Sequence, residues 1–135
     1  MMKRSARSMA ALVLLSFCVP AGLAQEKKPH EGEWLAQYPP RNNPNNILLV
    51  ALVVLKGSGG TWNVKPPSMR NKNPCLGRDY PVAVVAETAD SVELAVYASK
   101  ALTSCTDHTV KLKPIDDKTL EGLIDDERKV TLKRR

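Results

Sequence analysis

Few side chains in this sequence have chemical reach: three cysteines, two histidines, two short acidic clusters and one basic loop. Cys105-Thr106-Asp107-His108 has a Cys-x-x-His spacing, and Cys75 and His30 would bring a zinc set to four soft ligands. That set is assembled from scattered single residues. Two cysteines left in an exported chain pair completely instead, so a disulfide between Cys75 and Cys105 is the expectation and no metal or cofactor is expected. Closing a loop across 30 positions removes denatured-state entropy worth about 3–4 kcal/mol in the chain-entropy picture.

His30 falls in a polar N-terminal stretch, and His108 opens an alternating segment directly after Asp107. Neighbours in a strand point to opposite faces, so Asp107 and His108 do not form an oriented dyad, and His108 is expected to be structural. Asp116-Asp117 and Asp125-Asp126-Glu127 lack the alternating ligand spacing of a calcium loop and are expected as hairpin turns. Gly57-Ser58-Gly59-Gly60 precedes a strand, not a helix, so it lacks the helix N-terminus of a phosphate cradle. No catalytic residue is predicted. The polar segment best suited to recognition is 66–80, where Arg70, Lys72 and Arg78 stand with Asn71, Asn73 and Tyr80, and Lys65 borders them. Four cations against the single Asp79 make Lys65, Arg70, Lys72, Arg78 and Tyr80 the candidate partner-binding set.

The export expectation rests on the first 24 residues. Lys3, Arg4 and Arg7 precede the apolar run Met9–Val19, Pro20 ends it, and Gly22-Leu23-Ala24 offers small residues for cleavage before Gln25. A run of eleven residues rises only about 16 Å as a helix, half the hydrocarbon thickness, which disfavours an anchor. Cys18 sits within the run, yet the bulky Phe17 before it disfavours lipidation, so Cys18 is expected to leave with the peptide. The remainder carries 17 basic and 14 acidic side chains, a net +3 against +6 for the whole chain, too little to imply nucleic-acid binding. Periplasmic or secreted localisation follows.

About 111 residues remain for one domain, with residues 25–31 a flexible lead and 32–135 the folded body. Gly32–Tyr38 reads as a first strand closed by Pro39-Pro40. The turn-forming tract 41–46 follows, then the apolar run Ile47–Leu55 and a glycine hairpin. Thr61–Lys65 is the third strand. In Pro81–Thr88, Val82, Val84 and Ala86 share a face, and in Ser91–Ser99, Val92, Leu94, Val96 and Ala98 share one. His108–Lys113, Thr119–Ile124 and Arg128–Arg134 complete eight strands, and no helical stripe is present. An all-β antiparallel meander of eight removes its edges by closing into a barrel, with a two-sheet sandwich as the alternative. In either, strand parity puts the loops holding Cys75 and Cys105 at one end. The strand from Ile47 is apolar on both faces, so its outer face calls for a covering loop or a homodimer through residues 47–55. It is too short for a transmembrane helix, and the other strands lack the band of a membrane barrel.

Gly32-Glu33-Trp34 on the first strand, the eight-strand meander and Arg134 at the end of the last strand resemble the calycin group of lipocalins, avidins and fatty-acid-binding proteins. The resemblance implies that Gly32 and Trp34 lie at the closed end of a barrel and that Arg134 packs across the indole. Thr106-Asp107 departs from the lipocalin signature, since His108 stands where Tyr would be. The expected function is exported, non-catalytic binding of a small ligand or of an envelope or protein partner, through barrel-end loops or an apolar surface. An inhibitor or immunity-type protein that blocks an exported enzyme is the alternative. A basic host lysozyme is disfavoured as target by the net +3. A hydrolase, the third class, requires a nucleophile and an acid within reach of His108.

Overall fold

Alternation along each strand decides which side chains enter the interior. In β1 (Gly32–Tyr38), Trp34, Ala36 and Tyr38 are buried, while Glu33 and Gln37 face outward. In β8 (Arg128–Arg134), Val130 and Leu132 are buried between outward Lys129, Thr131 and Lys133. Between them run β2 (Leu49–Lys56), β3 (Gly59–Val64), β4 (Asp79–Glu87), β5 (Val92–Val96), β6 (His108–Asp116) and β7 (Thr119–Ile124). A computed structural model describes residues 28–41 and 48–135. The signal peptide expected over 1–24, residues 25–27, and Ile47 of the expected second strand lie outside the described residues.

Each strand pairs antiparallel with the next, and β1 pairs with β8, Trp34 opposite Arg134 and Ala36 opposite Leu132, so the sheet is a closed barrel and not a sandwich. The interior is filled by Trp34, Leu55, Leu94, Leu112, Leu120, Ile124 and Leu132 together with β-branched neighbours. Gly122 lies where β7 runs close against β6. A methyl group there would overlap the Lys111 carbonyl oxygen, so β6 and β7 cannot adopt this spacing around a larger residue.

Two expectations about strands need correction. Ala86 is exposed instead of sharing the inward face with Val82 and Val84, because the β4–β5 register shifts between Val84 and Ala86 and re-aims the side chains beyond the irregularity. The fifth strand stops at Val96, and Ala98–Ala101 forms a single helical turn, α1, where no helix was expected. Unbranched Ala-Ser-Lys-Ala accepts a helical turn, and the Asp107 carboxylate receives the Ser99 amide at 2.8 Å. Ala98 stays buried, now as the first residue of that turn.

The two poles of the barrel are finished differently. At the pole holding the start of β1 and the end of β8, residues 28–31 lie across the opening. Their sequence suggested a loose lead, yet His30 is 3% exposed and its carbonyl accepts the Trp34 indole N–H at 2.9 Å. The opposite pole is bordered by the loop 65–78 and the segment 97–107, and these are joined by the expected bond between Cys75 and Cys105, whose Cα atoms are 5.7 Å apart. Among the described residues no helix is long and apolar enough to cross a membrane.

Candidate functional site

At the first pole the Gly32, Trp34 and Arg134 set is brought together. The Arg134 guanidinium lies 4.2 Å from the Trp34 ring centroid, and it donates to the carbonyls of Glu31 (2.6 Å), Pro29 (2.9 Å) and Asp117 (3.0 Å). Gly32 has φ +127°, and a Cβ there would sit 2.6 Å from Arg134 Nη1. Glycine is therefore required both by the backbone and by the space the arginine occupies. Residues 28–31 and the Arg134 guanidinium cover this pole.

The other pole is a concave mouth. A cavity of about 340 Å³ is bordered by Tyr38, Trp62 and Tyr80, by apolar Leu49, Val64, Leu76 and Ala98, by Arg41, Arg128 and His108, and by the disulfide. Parity puts them there. Tyr38 ends β1, Trp62 and Val64 end β3, Tyr80 and Arg128 begin β4 and β8, and each continues the inward face of its strand. The Tyr38 and Trp62 rings lie 5.9 Å apart, tilted by 50°, with the indole N–H donating to the Tyr38 hydroxyl at 3.3 Å. Burial raises the pKa of Tyr38, partly offset by the Trp62 hydrogen bond and by Arg128, and burial likewise raises that of Tyr80. Both are therefore neutral hydroxyls at physiological pH.

Arg128 packs over the Tyr38 ring at 5.5 Å and donates from Nη1 to the Pro39 carbonyl at 3.2 Å. Its Nε is buried with no partner among the described residues. Behind the lining, Asp125 accepts from His108 Nδ1 at 2.6 Å and from the Thr109 amide at 3.0 Å, with Arg41 at 3.6 Å. Burial alone would raise the Asp125 pKa, but the Thr109 amide, His108 and Arg128 outweigh it, so the pKa is lowered and the carboxylate is ionised. Asp125 is absent from the lining, which carries no carboxylate.

Of the candidate partner-binding residues, Lys65, Arg70, Lys72 and Arg78 are exposed on the loop that rims this mouth. The loop is tied internally by the Asn73 amide to Asn71 Oδ1, the Cys75 amide to Asn73 Oδ1, and Arg78 Nε to the Pro74 carbonyl, and Gly77 donates to the Val64 carbonyl. Tyr80 is not on that surface. It is 4% exposed, because the inward parity of β4 carries it into the interior with Val82. His108 does have an acid within reach, and it is Asp125, not Asp107, which is bound to Ser99 instead. No hydroxyl or thiol among the described residues hydrogen-bonds to His108, although Ser104 borders the same cavity. Since Cys75 and Cys105 are bonded to each other, neither is free for a zinc set with the two histidines.

Tyr38, Trp62, Arg41 and Arg128 were not predicted as site residues. For Arg128 the signal was present, because the spacing that turns Val130, Leu132 and Arg134 inward also turns residue 128 inward. No family model, curated protein or solved structure matches the chain.

Proposed function

We propose that the protein is an exported binding protein that performs no covalent chemistry and takes a small ligand in the mouth of its barrel. The observation that carries this is the cavity itself. It is concave, bordered by three aromatic residues and a few polar groups and stapled by a disulfide, the composition usual for a ligand pocket. Its volume lies at the small end of such pockets, and the filled interior below it leaves no deep calyx. The disulfide supports a periplasmic or secreted location, and the Arg134 contact on Trp34 supports a calycin-like kinship.

A specific feature favours a second use of the same pole, as an inhibitor or immunity-type protein. Met69 is fully exposed beside Arg70 and Lys72, an apolar tip on a basic, internally tied loop that would suit the acidic cleft of an enzyme. Self-association through residues 47–55 is a separate proposal, supported by Val50, Leu52 and Val54, which are partly exposed on the outer face of β2.

Native mass spectrometry of the protein after incubation with periplasmic or culture extract tests the primary reading. A retained small molecule is expected, and Leu76→Trp, which fills the rim, should abolish retention. Retention unchanged in that variant would remove the mouth from consideration. Capture of a protein, lost on charge reversal at Arg70, Lys72 and Arg78, would favour the inhibitor instead.

A further inference from the structure

The charges around the mouth are unbalanced. Two arginines and a histidine border it and no acidic side chain does. The nearest carboxylate, Asp125, is already occupied by His108, the Thr109 amide and Arg41. Arg128 therefore has no carboxylate within ion-pair distance among the described residues, and one of its donors is buried without a partner. The Arg128 guanidinium on the border of the mouth is a charged donor that would favour an anion entering there. Beside this cation stand the rings of Tyr38, Trp62 and Tyr80, all at least nine-tenths buried. They make this border of the mouth aromatic. The neutral Tyr38 hydroxyl accepts from Trp62 and keeps its own proton to donate.

We propose that the mouth is a site for a small aryl carboxylate, the carboxylate on Arg128 beside His108 and the ring against the three aromatic side chains. This rests on the mouth being a ligand site and names its ligand class. The cavity of about 340 Å³ is of a size for a compact ligand. His108 is held through Nδ1 by Asp125 on the border of the same cavity.

The protein carries its own internal control. Trp62 is in the mouth and Trp34 is at the closed pole, so the two indole N–H resonances report on opposite ends. Titration with 2-naphthoate should shift the Trp62 resonance saturably and leave that of Trp34 in place. 2-Naphthamide, the neutral match, should bind at least tenfold more weakly, and Arg128→Met should bring naphthoate down to the naphthamide level. Equal affinity of the acid and the amide in the unmodified protein would overturn the carboxylate assignment while leaving the mouth as a ligand site. Displacement of naphthoate by inorganic phosphate at similar concentration would overturn the aryl assignment. If neither naphthyl probe moves Trp62 at millimolar concentration, the ligand-site reading falls as well. The acid-to-amide comparison needs no variant, so a misfolded Arg128→Met leaves the proposal testable.

Discussion

Asp125 shows how one side chain can serve both turn and site. Its backbone at φ +53°, followed by Asp126 at +59°, makes the left-handed pair of the β7–β8 hairpin, a conformation Asp tolerates better than most residues. Its carboxylate meanwhile orients His108 and holds the Thr109 amide. Because the folded-state pKa is lowered, this carboxylate stabilises the fold above the ordinary carboxyl range, and the contribution is lost as pH falls through the lowered value. Asp125→Asn keeps the turn chemistry and removes the charge. It should cost about 1–2 kcal/mol at pH 7, and urea midpoints should show the gap to the unmodified protein closing at acid pH; a pH-independent gap would refute the charge contribution. Nothing in the local sequence separated Asp125 from Asp126 or Asp117, since each reads as a turn residue. Only the register of β6 against β7, Val110 opposite Ile124, places it beside His108. Gly32, Trp34 and Arg134 were legible because their information is local: a Gly-x-Trp spacing and an inward parity that ends on arginine.

At the scale of elements, the two loops bordering the mouth contain little regular structure and depend on being joined. The strand before Cys105 ends early, α1 turns the chain, and Cys105 reaches Cys75 across the rim. Alternation and parity in the sequence were enough to give eight strands, their order and the pole shared by the cysteines. They missed the irregularity at Val84–Ala86 and the turn of α1 because both are responses to tertiary demands, one the twist of a closing sheet, the other the span to a covalent partner. The joint variant Cys75→Ala/Cys105→Ala should lose about 3–4 kcal/mol in denaturant unfolding. It should also broaden the Trp62 indole resonance while sparing that of Trp34. A loss shared evenly by both resonances would mean that the bridge stabilises the whole barrel without organising the rim.

For the molecule as a whole, the β1–β8 seam is what makes a sheet into a ring, and it joins the most distant strands in the chain: Trp34 is paired with Arg134, and the Arg135 amide reaches the Glu33 carbonyl at 3.0 Å. Contacts between such remote positions are slow to form, because the intervening chain must be ordered first. A circular permutant that links Arg135 to Lys28 through a short glycine-serine bridge and opens the chain between Gly57 and Ser58 would keep residues 28–31 over Trp34 and turn this seam into a neighbouring pair. It should retain the native near-ultraviolet circular dichroism and refold faster than the parent in stopped-flow experiments; an unchanged rate would mean that another pairing limits closure. An even count of ribbons has a further consequence. Both extremities of the ring emerge together, opposite the aperture, so a tether or fused module attached at either one would leave the opening pointing freely into the surroundings.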